Sequence, residues 1–307
     1  MADPLLIEVP ADAAGERLDL LLAGVAGIGS RAAAQRAIDA GRVTVDGALR
    51  PKRHRVAEGE RVEVTPEPAP AAVEGAQDVP FAVAYEDAHL IVVDKPAGVV
   101  VHPARGHRGG TLSEALSGRA VGGEDPARAG IVHRLDRETS GLLVVAKSEE
   151  VHRRLQEAIR QRTVRREYLA LVEGCPPARS GTIDAPIGRD RRVRTRMSTD
   201  TENPRDARTH FALERALPST ALLRVTLETG RTHQIRVHLQ AIGHPVAGDP
   251  EYGTPGLLGL QRQFLHAARL AFEHPVGGEP LDLSSPLPSD LAAVLERLSA
   301  EANARNA

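Results

Sequence analysis

The composition of the chain divides it near its first quarter. From Thr65 to Pro80 the residues are mostly Pro, Ala and Glu, with prolines at 66, 68, 70 and 80. Each proline locks φ and removes a backbone donor, so neither a helix nor a central strand can run through this stretch. The 307 residues must therefore fold on either side of a semi-extended linker. We set the boundaries at residues 1-66 for a small leading unit, 67-80 for the linker, 81-300 for a larger domain and 301-307 for a tail.

In the leading unit Leu18, Leu21, Leu22 and Val25 fall at helical spacing, Ser30 is placed to cap a second helix from Arg31 to Ala40, and Gly41 to end it. The period then changes. Val43 and Val45 alternate ahead of an Asp46-Gly47 turn, and Arg61 to Val64 repeats the alternation, which predicts helix, helix, hairpin. Between Arg31 and Arg61 eight Lys or Arg stand against four acids, with Arg50, Lys52, Arg53 and Arg55 nearly contiguous in the hairpin loop. Such a loop is either a solvated surface or a phosphate contact; charge on both elements favours the second.

Beyond the linker, Leu90 to Val93, Leu142 to Ala146, Tyr168 to Val172 and Leu222 to Leu227 are strand candidates separated by glycine-rich turns and two helical stretches. The pattern predicts a mixed α+β domain rather than a regular βαβ alternation. The helical stretch from Glu150 to Arg162 buries Val151, Leu155, Ala158 and Ile159 on one side and shows arginines elsewhere. Arg189 to Arg196 carries five arginines with no apolar period and is expected to be a flexible basic loop. Three basic segments point to a nucleic acid, although the net charge of −2 does not by itself decide.

Several classes drop out. A single cysteine, Cys175, excludes an intramolecular disulfide framework and any cysteine cluster. Twelve scattered histidines contain no His-Glu-x-x-His, and His233 and His238, five apart, are badly spaced to chelate, so no metal site is expected. No phosphate loop, dinucleotide fingerprint or nucleophile elbow is present, and no nucleotide cofactor is expected. Acidic residues at the N-terminus and the lack of an 18-residue apolar run predict a cytoplasmic protein with no membrane partner.

The densest polar constellation runs from Gly130 to Gly141 and leads straight into apolar Leu142 to Val145, which should hold a polar turn at the rim of a core. Asp136, flanked by Arg134 and Arg137, is a candidate for a held, ionised carboxylate, or for an ion pair that shapes the loop. The second constellation runs from Leu227 to Leu239. There Thr232 is placed to cap a helix whose apolar stripe is Ile235, Leu239 and Ile242. Tyr168 shares a strand face with Ala170 and Val172 and reads from pattern alone as a core-edge tyrosine with a wet hydroxyl.

At His133-Arg134-Leu135-Asp136, followed by Thr139-Ser140-Gly141, the chain resembles the RluA family of pseudouridine synthases. The likeness extends in family order through Asp94 to Gly98, Arg166-Glu167-Tyr168, Thr229 to Leu239 and Gly248 to Gly253, and within the family it is similar to the RluD-type large-subunit ribosomal RNA branch. It implies a mixed or antiparallel-sheet α+β catalytic domain, preceded by an S-four-type RNA-binding α/β module. It also implies no cofactor and a monomer acting on large-subunit ribosomal RNA or a pre-ribosomal particle.

Carried over position by position, Asp136 is the catalytic aspartate, Tyr168 packs beneath the target base, and Arg236 pairs with the aspartate. Arg134 fills the gap left by a flipped uridine, Ile235 helps wall the pocket, and His133 and Thr139 are substrate-binding. Arg50, Lys52, Arg53 and Arg55 are expected to contact RNA. Whether the aspartate attacks C1′ or removes the C2′ proton is open at this level. The alternatives are a synthase acting on transfer RNA and a non-catalytic ribosome-assembly factor, the latter opposed by intact Asp136, Tyr168 and Arg236. A glycoside hydrolase would need a second placed acid, for which Glu138 is poorly spaced.

Overall fold

The structure is a computed structural model and describes residues 4–25, 28, 31–65, 79–103, 110–123, 125 and 128–306. Ser30 and nearly all of the proline-rich stretch lie outside them.

The leading residues build a small sheet and two helices around their own core. Strand β1 (Leu5–Glu8), not foreseen from the sequence, precedes helices α1 (Leu18–Ala23) and α2 (Arg31–Asp39). Strands β2 (Val43–Val45), β3 (Ala48–Leu49) and β4 (Arg61–Val64) complete a four-stranded antiparallel sheet ordered β1-β4-β2-β3. Asp46 and Gly47 both take positive φ, 49° and 76°, the backbone of a two-residue hairpin turn. Leu18, Leu22, Val43, Val45 and Val62 pack beneath the sheet. Helix α1 has no side-chain cap. Instead its first amides, Leu18 and Asp19, donate to the carbonyls of His54 and Lys52 in the basic loop. Asp19 is fully buried and binds Arg17 through two bonds of 2.9 Å, Arg31 at 3.1 Å and Gln35 at 2.6 Å, tying α1 to α2. Arg17 foremost holds its carboxyl far below the usual range, against the cost of burial.

The second part is built on a nine-stranded mixed sheet. It comprises β5 (Ala82–Glu86), β6 (Leu90–Lys95), β7 (Ser140–Ala146), β8 (Arg165–Glu173), β9 (Ser180–Asp184), β12 (Arg208–Ala216), β13 (Thr220–Leu227), β14 (Leu265–Glu273) and β15 (Pro280–Ser284). The order is β5-β6-β7-β14-β8-β13-β12-β9, with β15 on β14, and the β7–β14 pairing is parallel. Between β9 and β12 lies a separate hairpin, β10 (Gly188–Arg189) with β11 (Met197–Ser198), where a flexible loop is expected from the run of arginines.

Strands β6 and β7 read as unbroken apolar runs because both their faces are covered. Ile91, Val93, Leu143 and Val145 join the main core, with α3 (Leu112–Ala115), α5 (Gln234–Ala241) and α6 (Ser289–Asn306) contributing Leu112, Leu239 and Leu291. Leu90, Val92, Leu142 and Val144 enter a second core with Val151 and Leu155 of α4 (Glu149–Arg160). Each such side chain contributes roughly 1.5–3 kcal/mol on burial. Helix α6 continues through the residues read as a tail as far as Asn306. At the start of β7 the chain nearly touches β14: a Cβ on Gly141, at φ +111°, would lie 2.3 Å from the Ala267 carbonyl oxygen.

Candidate active site

The polar turn from His133 to Thr139 enters β7, and three neighbours hold its backbone. Lys95, completely buried at the end of β6, donates to the carbonyls of Pro96, Val99 and Arg137 at 2.8, 3.0 and 3.0 Å. Burial pushes its ammonium down to about 7, opposed by the charges of Glu138 and Asp136. The Gly98 amide also donates to Arg137 O at 2.9 Å, and Arg262, gripped by Asp290, donates to Glu138 O at 3.0 Å. The motif Asp94 to Gly98 thus serves as a clamp for the turn that carries Asp136.

His133 is not among the residues that line the cleft. Its Nε2 accepts the Val144 amide at 3.2 Å, its buried Nδ1 has no hydrogen-bond partner among the described residues, and burial pushes the imidazole down to about 3, with Arg166 adding to the effect. Placed so, the ring turned toward β7 braces the turn. Thr139 is buried at the cleft wall and accepts from Gln263 at 3.4 Å.

Helix α5 brings in the partner. Thr232 does not cap it; His233 occupies that place in a left-handed conformation, φ 55°, without a capping bond. Gln234, the first residue of the helix, ties down the turn before it, its Oε1 accepting the Arg231 amide at 2.9 Å and the Thr229 hydroxyl at 2.8 Å. Two residues on, Arg236 faces inward. Its Nη1 donates to Asp136 Oδ2 at 3.2 Å, across 100 residues of sequence.

The fork of that guanidinium, however, is spent on a different acid. Nε and Nη2 donate to Asp249 Oδ2 and Oδ1 at 2.6 and 2.9 Å, and Nη2 also approaches Glu251 at 3.4 Å. The expected Arg236–Asp136 pair is therefore real but single-bonded, and Asp249, wholly buried, is the anchor. Burial opposes the charge on Arg236; the hydrogen bond to Asp249 and the charges of Asp136 and Asp249 outweigh it and raise its pKa above the ordinary value. Burial likewise works against the Asp249 carboxylate, and Arg236 holds it below its usual range. Asp249 also accepts the amides of Glu251 and Tyr252 at 2.9 and 3.0 Å. The segment Gly248 to Gly253 carried the signal, since a buried arginine needs more counter-charge than one partly exposed aspartate supplies.

Asp136 and Arg236 line one open cleft together with Arg134, Thr139, Tyr168, Ile235, Leu227 and Leu265. The Tyr168 ring is buried on β8, between Val225 of β13 and Ala267 of β14. Burial raises its pKa, Asp136 adds to the rise and Arg166 opposes it. Asp136 retains 15% exposure, enough to meet a ligand. Arg134 is exposed at the rim, its Nη1 3.3 Å from Nε2 of the buried His102. His233 and His238 go separate ways, to Tyr252 and to Thr209 with Ala185 O.

A carboxylate held by a buried arginine at the mouth of a cleft with an aromatic ring and apolar walls suits a flat base and a developing positive charge on a sugar. The pattern of the family described as RNA pseudouridylate synthase matches residues 89–241. The chain is 44% identical to the ribosomal large subunit pseudouridine synthase D of Nitrosomonas europaea, over 95% of its own length and 87% of the relative's. The chain belongs to the RNA pseudouridylate synthase family. This synthase is also 47% identical to an uncharacterized RNA pseudouridine synthase of Chloroflexus aurantiacus, with 98% and 96% of the two chains covered. Among solved structures, the human RNA pseudouridylate synthase domain containing 1 is 28% identical, with a TM-score of 0.56 over 76% of this chain and 98% of that one. The synthase is accordingly an isomerase of uridine in RNA. No helix among the described residues is long and apolar enough to cross a membrane.

Proposed function

We propose that this synthase converts uridines of large-subunit ribosomal RNA to pseudouridine in the cytoplasm, with Asp136 as its catalytic residue. The names of the relatives from Nitrosomonas europaea and Pseudomonas aeruginosa, both ribosomal large subunit pseudouridine synthase D, support the substrate. The observation that carries the site is the Asp136 carboxylate, bonded to Arg236 and opening onto the same cleft as Tyr168.

The reaction breaks the N1–C1′ bond, turns the uracil and joins C5 to C1′; C5 then loses its proton and N1, freed from the sugar, takes one up. Atoms balance without an external reagent. Asp136 as an anion serves both routes, attack at C1′ or removal of the C2′ proton, and Arg236 orients it through the bond to Oδ2. A stacked base is out of reach, so the uridine flips into the cleft and Arg134 leaves His102 to fill the gap. Mapping pseudouridines in ribosomal RNA from cells with and without the gene tests the reading; identical maps overturn it.

Tyr168 is assigned to the end of the reaction, supporting the uracil and accepting the C5 proton. With its pKa raised, little of it is ionised near neutrality, so the single-turnover rate of C5-tritium release should climb as pH rises toward that pKa. Tyr168→Phe keeps the ring and should flatten this profile, with the rearranged intermediate accumulating. Superimposable profiles would leave Tyr168 only a packing role.

The leading residues supply affinity. Arg50 and Arg53 are exposed and have no carboxylate partner among the described residues, whereas Lys52 pairs with Asp39 at 3.2 Å and Arg55 donates to Gly15 O at 2.7 Å. Arg50→Gln combined with Arg53→Gln should flatten the slope of log affinity against log salt by about 1.4–1.8, the worth of two phosphate contacts. The saturated single-turnover rate should stay unchanged. An unaltered salt slope would remove these two arginines from the RNA interface.

A further inference from the structure

The arginine-rich segment between β10 and β11 is ordered by its own hydrogen bonds. Asp190 N donates to Arg196 O at 3.0 Å and Arg196 N to Val193 O at 2.8 Å, while the Asp190 carboxylate accepts the amides of Arg192 and Val193, both at 2.8 Å. At the tip Arg192 and Arg194 are exposed with no ion-pair partner among the described residues, and Val193 between them is 45% exposed. The tip is thus an uncompensated positive end on a defined frame.

The base of the hairpin leads into the active site. The Arg196 guanidinium carbon lies 4.8 Å from the centroid of the Tyr252 ring, and the Met197 amide donates to Tyr252 Oη at 3.0 Å. The same ring carries Arg236, whose guanidinium carbon is also 4.8 Å from the centroid, and the same hydroxyl lies 2.9 Å from His233 Nδ1. Tyr252 is itself buried. One tyrosine therefore touches the arm on one side and the arginine that holds Asp136 on the other. The Arg236–Asp136 bond, at 3.2 Å, is longer than the 2.6 and 2.9 Å bonds to Asp249, so a small movement of the guanidinium on the ring decides whether it is made well.

We propose that the hairpin is an RNA-sensing arm: phosphodiester oxygens of the substrate bind Arg192 and Arg194, and the seated arm, through Arg196, Met197 and Tyr252, sets Arg236 on Asp136. Tyr252 is then a positioning residue, remote from the reacting atoms. The inference rests on Asp136 being the catalytic carboxylate.

The test uses the full chain and a ribosomal RNA fragment containing the target uridine, with dissociation constant and single-turnover rate at saturating enzyme measured separately. Arg192→Gln with Arg194→Gln, on exposed positions that do not threaten the fold, should weaken binding and also slow the saturated rate at least about fivefold, the scale on which contacting residues couple. Tyr252→Leu should slow it similarly. The combined variant should be no slower than Tyr252→Leu alone. Tyr252→Phe, which keeps the ring contacts and loses the hydroxyl's bonds to Met197 and His233, should lie between wild type and Tyr252→Leu, and it guards against a misfolded leucine variant. A loss confined to the dissociation constant, or rate effects that multiply, would overturn the relay. If the wild type converts no uridine in any ribosomal RNA fragment, the underlying reading falls instead.

Discussion

Asp136→Asn is expected to lower the single-turnover rate of uridine isomerisation at least about a thousandfold, roughly 4 kcal/mol in the barrier, with RNA affinity nearly unchanged. Asparagine keeps the size and hydrogen-bonding reach of the side chain and removes the charge that both routes require. The fold should tolerate it. Arg236 gives up a single bond of 3.2 Å but keeps both bonds to Asp249, so no buried cation is orphaned. Thermal melting and C5-tritium release, measured on the same preparation, separate the two effects. A residual rate within about tenfold of wild type, only about 1.4 kcal/mol, would remove Asp136 from the chemistry.

Arg236→Lys should cost about a hundredfold in the saturated rate and, unlike Asp136→Asn, should also destabilise the protein. A lysine keeps the charge, but its ammonium is a point donor on a flexible stem and cannot reproduce two parallel bonds to Asp249 while reaching Asp136. Asp249, fully buried, would then lack part of its hydrogen bonding, a deficit that costs about 1–3 kcal/mol. Asp249→Asn provides the companion measurement. Although Asp249 is not among the residues lining the cleft, it should lower the saturated rate in the same direction by letting the guanidinium turn. Equal rates for wild type and Arg236→Lys in the folded fraction would mean that Asp136 needs no arginine partner.

The strands and helices around this site were largely legible in the residue pattern. Leu142 to Val145 announced a buried strand and placed Asp136 just before it, and Val151 and Leu155 marked the inner face of α4. Gly41 ended its helix with positive φ as its position suggested. Hydrophobic period and turn chemistry act between residues a few positions apart, so they survive in the linear sequence. The first strand of the leading sheet escaped because Leu5 and Leu6 are exposed there and the four residues lack an alternating signal.

Charge pairing behaved differently. That Arg236 would meet Asp136 came from family resemblance, and nothing local indicated that Asp249 would take the fork, that His133 would turn inward onto Val144, or that five arginines would form an ordered hairpin ending against Tyr252. A guanidinium removed from water must collect acceptors from whatever strands and helices the packed chain brings within about 3 Å, and sequence distance has no bearing on that choice. Local pattern therefore specified where the acid stands and what backbone carries it. The identity of its partners, and hence the state in which it is held, followed from how β7, α5 and the segment around Asp249 close on one another.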